Sequence, residues 1–238
     1  MILTAHQPTY LPWLGLFHKI AVADMFVSFN QVQYEVKSWS NRNRVKTSTG
    51  PIWLSVPVLK SGFLQKSMSE IEIDNTSSWA RKHWKSLEML YKPAPYFAHY
   101  ADFLEDVYLK RTWRTLVELN EHMLRWFMAE LGIKTPFRSA ADYAFQGTKS
   151  DLVLDMCVQL GARTYIFGAQ GRDYADVAAF RAKGVEPLFQ DYRHPSYAQR
   201  YGAFVPNLSV VDLLFNCGPA SLDILMSGNL GRGDLAAA

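Results

Sequence analysis

Ile2 to Ala5 is a short apolar run that stops at a segment rich in rings and turn residues, His6-Gln7-Pro8-Thr9-Tyr10-Leu11-Pro12-Trp13-Leu14-Gly15. This pattern predicts a first strand emptying into a loop. Leu16, Phe17, Ile20 and Ala23 follow at helical spacing, and Met25 to Phe29 is a second apolar run. Strand, loop, helix and strand in that order predict a βαβ unit of a parallel sheet, with the His6 loop at the carboxyl end of the first strand. Open α/β sheets take their ligands at that edge.

The next stretch alternates and turns. Residues 32–39, 41–46 and 52–58 read as an extended, hairpin-like excursion around Thr49-Gly50-Pro51. From Ser77 to about Leu131 the period becomes helical: Trp84, Leu87 and Tyr91 share one stripe. Trp113, Leu116, Val117, Asn120, Met123, Leu124, Phe127 and Leu131 share another, and Pro93 and Pro95 break the run between them. Beyond Gly132 the pattern predicts a helix from about Asp151 to Leu160, a strand Thr164 to Phe167, a helix from about Asp176 to Lys183 and a strand Pro187 to Tyr192. Val210 to Cys217 reads as a further buried helix, and the Gly- and Ala-rich tail from about Ser227 as mobile. The expected fold is α/β: one domain over 1–238, a Rossmann-like, mainly parallel sheet flanked by helices, with an all-helical insertion at about 77–131.

Composition narrows the classes. With 49% hydrophobic and 20% charged residues the chain is neither disordered nor fibrous. A net charge of +3 is too small to mark a nucleic-acid stripe. The first residues lack a basic, signal-like pattern, and nowhere do about 18 apolar residues run together, so no membrane span is expected. Cys157 and Cys217 lie among apolar neighbours and read as reduced thiols, which together with the missing leader predicts a cytoplasmic protein. The 14% aromatic content divides between helical stripes and the polar loops.

Four segments offer chemistry. A histidine at a strand's carboxyl end, His6, suits a general base near neutral pH, and Gln7, Tyr10 and Trp13 in the proline-stiffened loop suit a ligand wall. Asn41-Arg42-Asn43-Arg44-Val45-Lys46 combines cations and amides able to grip phosphate or carboxylate, with Arg42, Arg44 and Lys46 on one face of an extended strand. Gly168 to Tyr174 follows a strand with glycines, as a phosphate or sugar site would, without the spacing of a dinucleotide fingerprint or a Walker loop. His194-Pro195-Ser196-Tyr197-Ala198-Gln199 echoes the first loop, so His6 and His194 are expected to meet at one ligand. His18, His83, His99 and His122 read as surface or boundary residues, and Asp212 with Asn216 as a structural pair. No cluster with metal-ligand spacing occurs, so no metal is expected; the residues leave the cofactor open, an acyl or aminoacyl donor included.

The segments HQPTYLPWLGLFHKIAVADMFV, SWSNRNRVK, YIFGAQGRDY, HPSYAQ and LSVVDLLFNCG, in this order, resemble the WbqC-like protein family over Ile2 to about Gly218. The family positions carried onto this chain are His6, Gln7, Pro8, Tyr10, Pro12, Gly15, Lys19 and Asp24, then Asn41, Arg42, Asn43 and Lys46, then Gly168 and Tyr174. His194, Pro195, Tyr197, Gln199, Asp212 and Asn216 complete them. Where the family pattern has a serine before the glycine, this chain has Phe167-Gly168.

Family members stand in gene neighbourhoods for O-antigen and other surface polysaccharide biosynthesis, and some in small-molecule pathways. The resemblance therefore implies a transferase that moves an acyl or aminoacyl group to an amine on a nucleotide-sugar. His6 or His194 would be its catalytic base, with Gln7, Tyr10, Trp13, Lys19, Asn41, Arg42, Asn43, Lys46, Gly168, Tyr174, Tyr197 and Gln199 binding substrate. The expected partner is a small anionic substrate and no membrane; an aminoacyl-tRNA donor would need basic residues clustered beyond what +3 supplies. Two rival readings keep the fold: a nucleotidyl-transferring or ATP-dependent activating enzyme, and a non-catalytic binding module for polysaccharide assembly.

Overall fold

The computed structural model describes residues 1–36 and 38–236. β1 (Ile2–His6), α1 (Leu14–Val22) and β2 (Met25–Ser28) form the expected βαβ unit. A hairpin of β3 (Arg42–Thr47) and β4 (Gly50–Ser55) follows. Next come α2 (Trp79–Tyr91), α3 (Phe97–Glu105), a wider helical turn over Asp106–Lys110, and α4 (Leu116–Glu130). The α/β pattern resumes with β5 (Phe137–Ser139), α5 (Lys149–Gln159), β6 (Thr164–Phe167), α6 (Val177–Ala182) and β7 (Glu186–Phe189). The chain closes with α7 (Val210–Cys217), α8 (Ser221–Met226) and α9 (Arg232–Ala236).

The main sheet has five parallel strands in the order β5-β2-β1-β6-β7. The chain builds outward from β1 through β2 to β5, then crosses back to lay β6 and β7 on the other side. The direction of winding therefore reverses between β1 and β6, which makes the carboxyl ends of these two strands the crevice where such sheets bind ligands. The sheet is α/β and Rossmann-like, as its sequence pattern predicts.

Alternation along the strands sorts the layers. Leu3, Ala5, Val27, Tyr165 and Phe167 pack with Val153, Met156 and Cys157 of α5 and Phe180 of α6. Phe26, on the opposite face, joins the larger core with α1, α2, α3, α4 and α7. The helical insertion therefore roofs one face of the sheet. α4 starts on a capping box, in which the Thr115 side chain accepts from the Glu118 N–H and the Glu118 carboxylate accepts from the Thr115 N–H.

Two features depart from the sequence reading. β5 was not expected: three residues are too short to show a period, and Phe137 is fixed by residues distant in sequence, Phe26 across the strand pair and Arg125 over its ring. In the tail, Leu230 accepts at its carbonyl from His18, Asn229 brackets the Arg193 backbone, and Arg232 pairs with Asp24. β7 ends at Phe189, before the expected Tyr192. Among the described residues no helix is long and apolar enough to cross a membrane.

Gly15 is held small by the Trp13 ring, which a Cβ would meet at 2.3 Å. Helix propensity alone favours Gly15→Ala by about 1 kcal/mol. Overpacking outweighs it, so this variant is expected to lose about 1–3 kcal/mol in chemical denaturation.

Candidate functional site

At the carboxyl end of the central strand the structure gathers His6, Gln7 and Lys19, with Gly168 ending the adjacent β6. The His6 Nδ1 lies 2.8 Å from the Gln7 carbonyl. A carbonyl only accepts, so Nδ1 carries the proton and Nε2 keeps the lone pair. α1 places Lys19 beneath this end, fully buried, with its Nζ donating to the Ala5 carbonyl at 3.0 Å and, among the described residues, no carboxylate in ion-pair range. Burial without a counter-ion pushes the Lys19 amine down to about 7. Burial, with the Lys19 charge second, pushes His6 down to about 4. At neutral pH the pair therefore holds a neutral imidazole beside an amine that readily gives up its proton.

The register carries this corner further. His6 pairs with Ser28 of β2, and both fall on the α1–α4 face of the sheet. The Ser28 hydroxyl donates to Glu121 Oε1 of α4 at 2.5 Å, and the Asn30 amide donates to the same oxygen at 2.9 Å. Asn30 also reaches Ser139 Oγ at the end of β5. Ser28, Asn30 and Glu121 were missed by sequence reasoning. A cleft of about 350 Å³ bounded by Phe29, Gln31, Ala140, Tyr143, Phe145 and Leu152 opens beside these strand ends. Another, of about 280 Å³, lies at the opposite end of the sheet around Asp24 and Pro136 and holds none of these groups.

A second expected group comes together as an internal brace. Lys46 is buried, and its ammonium donates to Gln199 Oε1 at 3.0 Å and to the Ala203 carbonyl at 2.6 Å. Asp212 of α7 accepts from the Tyr91 and Tyr197 hydroxyls at 2.8 and 2.9 Å, and Tyr91 in turn accepts from the Lys46 backbone N–H. Burial raises the Asp212 carboxyl, while the two tyrosines and Lys46 favour its ionised form. Hairpin, α2, the 197–203 segment and α7 are thus tied at one carboxylate. Asn216 donates to the Asp212 carbonyl, in keeping with the structural reading of that pair.

Other expected ligand contacts are turned inward. Tyr10 is fully buried, with its hydroxyl on Tyr108 and on His83 Nδ1, so it forms core rather than a stacking wall. Trp13 lies over Gly15 and meets Tyr192 edge-on at 5.5 Å. The Asn41 and Asn43 amides donate to the Val56 and Leu11 carbonyls. Arg42 and Arg44 do share a face, both over the exposed Trp53 ring at 4.6 and 5.7 Å; Lys46 leaves them because residues 199–203 cover it. Tyr174 is exposed, edge-on to Phe167. His194 stands among Tyr192, Tyr197 and Phe204, with Nδ1 facing the Pro195 carbonyl and Nε2 buried without a hydrogen bond. No hydrogen bond or ring contact joins it to His6. His18 and His83 are buried, His18 bridging the Gln190 amide and the Leu230 carbonyl, rather than lying at the surface.

Two stability measurements follow. Between pH 7 and 10.5 the native state binds fewer protons at Lys19 than the unfolded chain does, so stability from this residue rises with pH across that window and is lowest below it. Lys19→Met is expected to stabilise the protein by about 1–3 kcal/mol at pH 6, with the advantage shrinking toward pH 10, read by urea melts across pH. Asp212→Ala strands two buried hydroxyls and Lys46, and is expected to cost about 3–5 kcal/mol, against about 1–2 kcal/mol for Tyr197→Phe.

Comparison with known proteins gives this arrangement its relatives. The model of the WbqC-like protein family matches residues 7–224. The uncharacterized protein Rv1507c of Mycobacterium tuberculosis is 37% identical over 220 residues, covering 92% of this chain and 95% of its own length. No solved structure matches. With a family model running from Gln7, just after β1, through the insertion and α7, and a relative 37% identical over most of both chains, the chain belongs to the WbqC-like protein family.

Proposed function

We propose that this chain is a cytoplasmic biosynthetic transferase that passes an acyl or aminoacyl group to an amine on a nucleotide-linked sugar or a similar small molecule, in the making of O-antigen or another surface polysaccharide. One observation carries the reading: a half-buried His6 at the carboxyl end of the central strand, at the reversal of winding, with a buried and carboxylate-free Lys19 amine directly beneath it.

An acceptor ammonium must lose a proton before its nitrogen can attack. His6 Nε2 takes that proton, because Nδ1 is committed to the Gln7 carbonyl. The nitrogen lone pair then bonds to the donor's carbonyl carbon, and the bond to the donor's carrier breaks as the adduct collapses. The nitrogen sheds a second proton in that collapse. The carrier leaves with one of the two protons and the other passes to solvent, giving an amide. Burial is the main cause that holds His6 neutral, and Lys19 modulates it: while charged it further opposes protonation of His6, and once neutral it relieves that part of the repulsion. The Gly168 turn at the neighbouring strand end and the paired Arg42 and Arg44 supply polar and cationic surface for an anionic substrate.

The test incubates the purified chain with nucleotide-linked amino-sugars and with acyl or aminoacyl donors, and reads the product by mass. A mass increase equal to the acyl group is expected, with kcat about 10²–10⁴-fold lower in His6→Ala. The activity should rise with pH through about 7, as Lys19 loses its proton. Ligand binding with no product across the panel, or full activity in His6→Ala, would remove the proposal.

A further inference from the structure

Glu121 reaches the carboxyl end of β2 from α4, a helix of the insertion, rather than from the sheet itself. Among the described residues, its two side-chain hydrogen bonds converge on Oε1, from Ser28 and from Asn30. Among the same residues Oε2 receives none and is not sealed from solvent, and no lysine, arginine or histidine pairs with the carboxylate. A carboxylate presents about four acceptor positions, of which two are filled here. The remaining two lie together on one oxygen, on a group already fixed in place from behind. Asn30 itself is 4% exposed, and its Oδ1 is buried without a hydrogen-bond partner, an unspent polar atom at the base of the same corner.

The strand order makes this placement meaningful. In dinucleotide-binding sheets of this winding an acidic side chain near the second strand accepts from a ribose hydroxyl; this chain lacks their glycine fingerprint, so only the placement of the carboxylate is shared. Here that position holds Ser28, the neighbour of His6 in register, and the carboxylate is delivered onto it from the insertion. Hydroxyls suit the corner better than a permanent cation, because the buried Lys19 amine beneath the adjacent strand repels positive charge.

We infer that Glu121, held by Ser28 and Asn30, binds a vicinal diol of the substrate, from a ribose or a hexose, and so sets how the molecule lies across the strand ends toward His6. The inference rests on the reading that substrate occupies this edge, and adds which group of it is recognised.

Calorimetry on the full chain tests it, with the four ribonucleoside diphosphates against their 2′,3′-dideoxy forms, and with glucose 1-phosphate and galactose 1-phosphate against their 2,3-dideoxy forms. At least one diol probe is expected to bind and to weaken about tenfold or more when its diol is removed. Glu121→Gln is expected to produce a similar loss, and the two losses are expected not to add, since they remove the same bonds. The set that responds identifies ribose or hexose as the source. A bound probe indifferent to loss of its diol, a Glu121→Gln variant binding as the parent does, or no diol probe binding at all would each overturn the assignment. Should Glu121→Gln fail to fold, the deoxy comparison on the parent chain decides alone. Diol-dependent binding without acyl transfer would count against the proposed reaction only. Transfer with diol-independent binding would count against this inference only.

Discussion

The burial of one ammonium group shapes the site. Lys19 lies under the central strand with a single backbone carbonyl for a partner, in a place where a charge without a counter-ion is costly to keep. Replacing it with an apolar chain would preserve the packing of α1 on the sheet and relieve that cost, so its presence opposes stability. Strain of this kind concentrates where chemistry needs a displaced proton affinity. The neighbouring histidine feels it directly, since the Lys19 charge adds to burial in holding the ring neutral.

The rest of the molecule holds this corner in place. The insertion roofs one face of the sheet through α4, whose Asn120 amide binds the Pro8 and Ser40 carbonyls and so holds the loop after β1 against the hairpin. Tyr10 reaches from that loop into the same roof through Tyr108 and His83. The hairpin, α2 and α7 are joined at Asp212, where Tyr197 binds directly and Gln199 through Lys46. Proton handling and mechanical bracing are therefore divided between two polar centres.

The fold was legible where its patterns were local. The β1–α1–β2 unit, β6 and α7 each show their period within a few residues, and both βαβ logic and the position of His6 follow from it. β5 was not legible, because three residues carry no period and residues distant in sequence define them. Lys46 misled for a related reason: alternation places a side chain on a face but does not say that residues 153 to 157 positions later will cover it. Glu121 was invisible as a site residue because its meaning depends on α4 crossing the end of a strand 91 to 93 residues earlier. The one available hint was Asn120, a polar residue set in an apolar stripe. The chemical likeness of the His6 and His194 loops did not specify contact, since β7 is the outermost strand and His194 lies beyond its end among aromatic rings.

The ionisation of Lys19 beside His6 is central to the site, and nitrogen-detected NMR on the selectively labelled chain measures it without reference to any substrate. The Lys19 amine is expected to titrate at about 7 while His6 stays neutral down to about 4, with its proton on Nδ1. A Lys19 signal that remains cationic to pH 10, with His6 titrating at its ordinary value of 6.5, would contradict it.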